Sequence, residues 1–300
     1  MIARFLEYIA VEKKYSDKTV RAYGDDLRDF CSYLKIDIGD FNPILISESD
    51  VKLWMIHLLD EQHFSPRSVK RKLSSLRSFY RFLLRNKVVS KDVTRLIISP
   101  KADKPLPVFF KPSEMRLATQ NDAKADDFFS VRNCLIVEML YQTGMRQAEM
   151  LGLRDVDVDT RAATVRVFGK RKKERIIPVG ESLINQITIY RQFRSELGVQ
   201  EAFFVHADRQ GNVRPLSKTI LYNIVRAHMG EVSTLKKHSP HVLRHTFATS
   251  MLDAGADIRV IKELMGHASL AATEVYTHTT FEQIKRTYNN AHPRALKRKE

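Results

Sequence analysis

The sequence predicts a mainly α-helical protein with a small antiparallel β-sheet, organised as two domains. Apolar residues recur at helical spacing over most of the chain, whereas short alternating β-branched runs occur only between residues 155 and 179. Residues 99–107 contain three prolines and no helical period, which is typical of a linker. We therefore predict a helical domain at 1–98, a linker at 99–107 and a second domain at 108–300, as the length of 300 residues also favours.

Four helices are predicted in the first domain. The first carries Phe5, Tyr8, Ile9 and Val11 on one apolar face. Serine residues that can accept a hydrogen bond from the first turn mark the beginnings of the other three, and the last of these serines precedes a proline. These N-terminal signals are Ser16, Ser47 and Ser65-Pro66. The apolar stripes behind them are interpreted as the core of the domain.

The second domain is predicted to place a basic hairpin between two strands of its sheet. An apolar helix at 127–143 should end at Gly144, and a short helix should follow Arg146. The predicted strands are 156–158, 163–168 and 175–179, and further helices are predicted at 181–197, 217–230, 242–254, 257–265 and 281–289. The hairpin at 169–175 consists almost entirely of lysine and arginine residues.

The formal net charge of +15 favours a polyanionic partner. Ribosomal proteins, membrane-surface proteins and DNA enzymes share this bulk property, so charge alone does not distinguish among them. The chain has no run of about 18 apolar residues, and its charged N-terminus is unlike a signal peptide. Cys31 and Cys134 stand among apolar helical neighbours, which is typical of packed thiols in a reduced compartment. We expect a cytoplasmic protein without a membrane partner.

The polar side of the fourth predicted helix carries cations and no acid. These residues are Arg67, Lys70, Arg71, Lys72, Arg77, Arg81 and Arg85. Solvated helix faces usually mix both signs of charge, so this face is interpreted as a track for phosphates. A merely solvated face is the alternative.

Six residues spread over the second domain have side chains suited to phosphodiester chemistry. They are Arg146, Lys170, His241, Arg244, His267 and Tyr276. Guanidinium groups pair bidentately with phosphate oxygens, and a phenol becomes a nucleophile once its proton is taken. Tyr276 is therefore the candidate nucleophile, with His241 as its base and Lys170 as the acid for the leaving oxygen. The two arginines would stabilise the charge of the transition state, and such chemistry requires no metal and no cofactor.

Each part of this set also has an ordinary interpretation. Arg146 could simply pair with Glu149 one turn further on. His241 and His245 have the i, i+4 spacing of a metal site, although the glutamate of a metalloprotease motif is missing and Arg244 would repel a cation. The order and spacing of the whole set are difficult to explain by chance.

The chain is similar to the tyrosine recombinases, the family of phage integrases and Xer-type chromosome dimer resolvases. The family signature is Arg, Lys, His-x-x-Arg, His or Trp, and Tyr, in that order. Here it is matched by Thr143-Gly-Met-Arg146, Gly169-Lys170, His241-Val-Leu-Arg244, Leu264-Met-Gly-His267 and Val275-Tyr276. The resemblance spans nearly the whole chain, including the helical first domain and the linker, and no catalytic position is missing.

The resemblance implies a SAM-like core-binding domain and a catalytic domain that together clamp a DNA duplex. Tyr276 would form a 3′-phosphotyrosyl link and release a 5′-hydroxyl, and four protomers would exchange strands through a Holliday junction. Glu149 and His245 would support the catalytic residues. The segment Tyr288–Arg294 is similar to an element that docks on a neighbouring protomer in this family.

Several functional alternatives remain open on the sequence. Xer-type resolution of chromosome dimers is the first interpretation, since integrases with arm-type sites usually carry an extra N-terminal domain, whereas the first predicted helix here begins within a few residues of Met1. An integrase or resolvase of a mobile element is the second; a topoisomerase-like enzyme and an inactive DNA-binding module belong to other classes. Identical protomers or a paralogous partner, and activation by a DNA translocase, are equally open.

The predicted partner is double-stranded DNA that carries a specific recombination site. We therefore expect the protein to be associated with the nucleoid. The residues predicted to contact DNA are Arg67, Lys70, Arg71, Arg77, Lys172 and Lys218. Most of them lie on the fourth helix, and the others lie on the basic hairpin and at the start of the helix at 217–230. Base specificity depends on which side chains reach the groove edges and is not predicted.

Overall fold

The computed structural model describes residues 1–101, 108–119, 127–169, 174–198, 201–208, 210–266 and 278–295. The chain divides into two compact units, Met1–Pro105 and Leu106–Glu300. From residue 102 onward, the predicted linker lies outside the described residues, so the predicted domain boundaries stay predictions. Among the described residues, no helix has the length and apolar character needed to cross a membrane.

The first unit is a bundle of four helices between residues 1 and 101. They are α1 (Ile2–Val11), α2 (Asp17–Tyr33), α3 (Glu48–Asp60) and α4 (Pro66–Arg85). The hydroxyl groups of Ser16, Ser47 and Ser65 each accept a hydrogen bond from the backbone N–H three residues further on. Because that N–H has no partner within the helix, the serine fixes where each helix begins. The predicted N-terminal signals are confirmed.

Aromatic rings fill the core of the first unit. Phe5 of α1 lies edge-on to Phe79 of α4 at 5.3 Å between ring centroids, and Phe30 of α2 lies 4.9 Å from Trp54 of α3. One prediction for this core is wrong, because Val11 is 67% exposed. It follows the buried Ile9 by two residues, which is about 200° around a helix, and so points away from the core.

A buried carboxylate joins α2 to α4. Asp26 is 2% exposed and accepts two hydrogen bonds from the Arg71 guanidinium, at 2.5 and 2.7 Å, and one from Ser75 Oγ at 2.6 Å. Lys72 is itself buried and lies 2.7 Å from Asp29. Arg71 and Lys72 of the predicted phosphate track therefore have acidic partners, and these partners come from a different helix.

The second unit surrounds one buried helix, α6, with the other helices and two small sheets. The helices are α5 (Pro112–Thr119), α6 (Phe128–Thr143), α7 (Gln147–Leu151), α8 (Glu181–Ser195), α9 (Lys218–Val232), α10 (Pro240–Asp253), α11 (Ile258–Met265) and α12 (His278–Ala291). From Leu135 to Thr143 every residue of α6 is buried, as expected of a helix that is packed on all sides.

The strands of the second unit form two antiparallel sheets in the described residues. The first sheet has the order β1 (Val158–Asp159), β2 (Thr164–Phe168) and β3 (Glu174–Pro178), and the second pairs β4 (Val205–Ala207) with β5 (Val213–Pro215). A 3₁₀ turn at Asp155–Asp157 replaces the beginning of the first predicted strand. Helix α5 and the second sheet were not predicted, because three-residue strands are too short for an alternating pattern. The predicted fold class, mainly α with a small antiparallel sheet, is confirmed.

We expect Asp26→Asn to lower the free energy of unfolding of the first unit by about 2 kcal/mol, since it removes the charge that Arg71 and Ser75 bind. Trp54 is the only tryptophan of the chain and lies in this core, so its fluorescence reports unfolding of the first unit. The matched control is Asp25→Asn, whose exposed pair with Arg28 should contribute less than about 0.5 kcal/mol. Equal effects of the two variants would contradict the role of Asp26.

Candidate active site

A left-handed glycine places Arg146 at the beginning of α7. Gly144 has φ +57° and ends α6, and its N–H donates to the carbonyl of Leu140. A Cβ atom at this position would lie 2.3 Å from the ring of Phe247, so both the turn and the packing require glycine. The side chain of Glu149 accepts a hydrogen bond from the backbone N–H of Arg146 at 2.8 Å and thereby caps α7.

The guanidinium group of Arg244 is buried between two backbone carbonyls. Ser239 caps α10 and Pro240 occupies its first turn, so Arg244 lies in the second turn of the helix. Its Nη1 donates to the carbonyl of Gly144 at 2.5 Å, and its Nη2 donates to that of Met265 at 2.6 Å. Burial, and then the nearby charge of Arg146, lowers the pKa of Arg244 to about 10. The side chain therefore keeps its positive charge at neutral pH.

Three arginine side chains converge on the C-terminal end of α11. Successive carbonyl groups accept one bond each: Leu264 from Arg175 Nε at 2.7 Å, Met265 from Arg244 Nη2 at 2.6 Å, and Gly266 from Arg146 Nη2 at 2.8 Å. The last carbonyls of a helix have no partner within it and carry partial negative charge, so cations are stabilised there. The end of α11 thus brings Arg146 and Arg244 together from separate helices.

Arg175 is a site residue that the sequence analysis missed. It is buried on β3 and pairs bidentately with Glu149, through Nη1 to Oε1 at 3.0 Å and Nη2 to Oε2 at 2.8 Å. Arg175 and the apolar Ile177 both face the interior of the unit, whereas Ile176 between them is partly exposed. The alternation of Arg175 with the core residue Ile177 could have indicated that Arg175 is buried. It was instead counted with the basic residues of the hairpin that precedes it.

The carboxylate of Glu149 serves both arginines. Oε1 accepts from Arg146 Nη1 at 2.8 Å as well as from Arg175. Burial alone raises the pKa of Glu149, but the hydrogen bonds from Arg175 and Arg146 outweigh it and hold the pKa below its ordinary value. The ordinary interpretation of Arg146, a pair with Glu149, is therefore realised, although the side chain of Arg146 remains 41% exposed.

The two histidines of α10 are joined to each other. The Nε2 atoms of His241 and His245 lie 3.0 Å apart, so one imidazole donates a proton that the other accepts. Burial, together with the neighbouring His245 and Arg244, lowers the pKa of His241 below its ordinary value. At neutral pH His241 can therefore accept a proton. Within the described parts of the chain, no third histidine, cysteine or carboxylate completes a metal site with them.

The remaining predicted residues are distributed as follows. Lys170, Lys172, His267 and Tyr276 lie outside the described residues, although Gly266, directly before His267, is part of the arginine cluster. The N-terminus of α9 contacts α7, since Gln147 Nε2 donates to the carbonyl of Lys218 at 3.0 Å, and the side chain of Lys218 is exposed.

On α4 of the first unit, Arg67 and Lys70 are exposed. Arg71 pairs with Asp26, and Arg77 donates to the carbonyl of Ile97 and to Ser99 Oγ, so both contribute to the fold of this unit. Of these four cations, Arg71 and Arg77 have intramolecular partners, although the side chain of Arg71 is 50% exposed.

The segment after α12 packs against its own chain. Tyr288 is fully buried and donates to Gln142 Oε1 at 3.2 Å, and Arg294 Nε lies 2.7 Å from Glu138 Oε1. The resemblance implied that this segment docks on a neighbouring protomer; in the structure it lies on α6 of the same unit, and docking on a second protomer stays a prediction. The buried carboxylate and amide of α6 require polar partners, which Arg294 and Tyr288 supply.

Comparison with known proteins places this arrangement in a family. The sequence profile of the phage integrase family matches residues 109–283, and that of the phage integrase N-terminal SAM-like domain matches residues 2–87. The chain belongs to the phage integrase family. Its resemblance to the tyrosine recombinases, predicted from the sequence, is confirmed, and so is its assignment as an enzyme of site-specific recombination.

Similar curated proteins extend over the whole chain. A tyrosine recombinase XerC from Pediococcus pentosaceus is 37% identical over 98% of both chains. A tyrosine recombinase XerD from Staphylococcus aureus is 35% identical over 98% of this chain and 99% of its own. Among solved structures, a XerH site-specific recombinase bound to a palindromic difH substrate covers 96% of this chain and 84% of its own, with a TM-score of 0.68 at 18% identity. That similarity establishes the shared fold.

We expect the stability of the second unit to fall as the pH is lowered below about 6.5, the ordinary pKa of histidine. His292 is fully buried and stacks on Tyr288, and burial lowers its pKa to about 3. Between these pH values the unfolded chain binds a proton that the folded chain does not. Stability should therefore decrease by about 1.4 kcal/mol per pH unit from this residue alone.

The substitution His292→Phe keeps an aromatic ring at this position and removes the group that binds the proton. Unfolding of the second unit is followed by circular dichroism, as the transition that does not change the fluorescence of Trp54. The free energy of this unfolding should depend less on pH in the variant than in the wild type. Identical pH slopes for the variant and the wild type would show that His292 is not neutral in the folded protein.

Proposed function

We propose that this protein is a site-specific DNA recombinase of the Xer type that cleaves DNA with the hydroxyl group of Tyr276. The observation that carries the proposal is the convergence of Arg146 and Arg244 on adjacent carbonyls of Met265 and Gly266, directly before His267 in the chain. Two permanent cations a short distance apart form a site for the non-bridging oxygens of one phosphodiester.

The proposed step is a transesterification. The oxygen of Tyr276 attacks the phosphorus atom and forms a phosphotyrosyl bond to the 3′ end, while the bond to the 5′-oxygen breaks. His241 takes the phenolic proton, a role that its lowered pKa supports, and Lys170 donates a proton to the leaving 5′-oxygen. Arg146 and Arg244 stabilise the additional negative charge of the five-coordinate transition state. Reversal of the step with a 5′-hydroxyl from another strand joins the new partners.

Solved relatives support DNA as the substrate and an assembly of several protomers. A λ integrase tetramer bound to a Holliday junction has a TM-score of 0.64 to this chain, and a λ integrase dimer bound to a COC′ core site has a TM-score of 0.65. We infer by analogy that four protomers of this protein act on paired sites, in the nucleoid of the cytoplasm. The similarity to XerC and XerD over full length supports a role in resolving chromosome dimers.

We expect the wild type to form a covalent complex with a nicked DNA duplex in the presence of EDTA, and Tyr276→Phe to form none. The nick lets the cleaved fragment diffuse away, so the phosphotyrosyl product accumulates and is visible on a denaturing gel. Substrates would come from genomic fragments enriched by binding to the protein. Tyr15→Phe, which alters an exposed tyrosine of the first unit, should retain full cleavage.

Two results would count against this function. Covalent complex formation by Tyr276→Phe at the rate of the wild type would exclude Tyr276 as the nucleophile. Catalytic relaxation of supercoiled plasmids that lack a binding site would instead favour a topoisomerase-like enzyme.

The exposed cations of α4 should contribute electrostatically to DNA affinity. We expect the double variant Arg67→Ala, Lys70→Ala to reduce the slope of log affinity against log salt concentration by about two units, since each phosphate contact contributes roughly 0.9. The matched control is the double variant Arg28→Ala, Lys52→Ala. It also removes two positive charges from the first unit, but these pair with Asp25 and Glu48. Equal slopes for the two double variants would mean that only the net charge matters.

A further inference from the structure

Arg175 is placed to control how much of the charge of Arg146 is available to a substrate. Both oxygens of Glu149 are shared: Oε1 between the side chains of Arg146 and Arg175, and Oε2 between the backbone N–H of Arg146 and Arg175 Nη2. Arg175 forms the bidentate pair and is buried, whereas Arg146 uses one guanidinium nitrogen and is partly exposed. The carboxylate is thus neutralised mainly by the buried arginine.

The charges of the cluster support this division. Arg146, Arg175 and Arg244 contribute three positive charges, and Glu149 contributes one negative charge. With Arg175 removed, the nearest cation to the buried carboxylate would be Arg146, three residues earlier in the chain. A bidentate pair between Arg146 and Glu149 would cancel the positive charge that binds the phosphodiester.

A second contact fixes the end of α11. Arg175 Nε donates to the carbonyl of Leu264 at 2.7 Å, next to the carbonyls that orient Arg244 and Arg146. Gly266 ends α11 with φ +62°, and a Cβ atom there would lie 2.9 Å from Arg175 Nη1. The close approach of the backbone to this guanidinium therefore depends on glycine.

We propose that Arg175 is a positioning residue for DNA cleavage that neutralises Glu149 and holds the end of α11, so that the positive charge of Arg146 remains available to the scissile phosphate. The inference rests on the proposed function, because it assigns a role within the same reaction. Arg175 itself does not contact the substrate.

The test compares four proteins: the wild type, Arg175→Gln, Arg175→Lys, and Arg175→Gln combined with Glu149→Gln. Single-turnover cleavage of the nicked substrate is measured with protein in excess over the DNA and well above its dissociation constant, from pH 5.5 to 8. Under these conditions a change in affinity does not alter the observed rate. Thermal unfolding of each variant shows whether it is folded.

We expect Arg175→Gln to cleave about 100-fold more slowly than the wild type at pH 7.5, a loss typical of a displaced catalytic group. Its rate relative to that of the wild type should recover as the pH is lowered, because without Arg175 the burial of Glu149 raises the pKa of this carboxyl, and its protonation releases Arg146. Arg175→Lys restores the charge without the bidentate geometry and should retain an intermediate rate. In the double variant Glu149 no longer titrates, so the recovery at low pH should disappear, and cleavage at pH 7.5 should be faster than in Arg175→Gln.

Arg166→Gln serves as a control for the loss of an arginine–carboxylate pair on the same sheet. Arg166 lies on β2 and pairs with Asp157, away from the arginine cluster. Its rate and pH profile should match those of the wild type.

The outcomes separate the two proposals. If the wild type cleaves and Arg175→Gln is slowed equally at every pH, or is not slowed, Arg175 does not govern the charge of Arg146 and the inference is wrong. If the folded wild type forms no covalent complex on DNA that it binds, the proposed function fails, and the role of Arg175 in that reaction fails with it.

Discussion

The geometry of the candidate site depends on one buried carboxylate. Glu149 caps α7 through the backbone of Arg146, binds the side chain of Arg146, and pairs bidentately with Arg175 of β3. A short helix and a strand are thereby fixed to each other at the position where three guanidinium groups meet. Without this negative charge, the mutual repulsion of three partly or wholly buried cations would oppose folding of the site.

The end of α11 complements this carboxylate without cancelling the charge of the arginines. Backbone carbonyls are neutral acceptors, so they orient guanidinium groups while leaving their positive charge intact. The structure uses three successive carbonyls in this way, one for each arginine. A charged phosphate oxygen forms stronger hydrogen bonds than a carbonyl, so a cluster oriented by carbonyls remains able to bind a phosphodiester.

Local features of the fold were predictable from the sequence, and contacts between elements were not. Ser16, Ser47 and Ser65 reveal helix beginnings because a cap is formed within four residues of chain. Asp26 binds Arg71 across 45 positions, and no pattern in α4 alone indicates that partner. The candidate site shows the same division. The motifs identified Arg146 and Arg244, whereas Arg175 was missed because its burial follows from the sheet register and not from its basic neighbours.

The C-terminal segment of the second unit is also fixed by contacts with buried polar groups. Helix α6 carries Glu138 and Gln142 in a fully buried position, and such groups are costly unless they find partners. Arg294 donates to Glu138 Oε1 and Tyr288 donates to Gln142 Oε1, so these polar groups of α6 help to fix the segment that follows α12. The chain that carries His267 and Tyr276 therefore departs from one fixed point, at Gly266, and is followed by a helix whose far end is fixed to the same core.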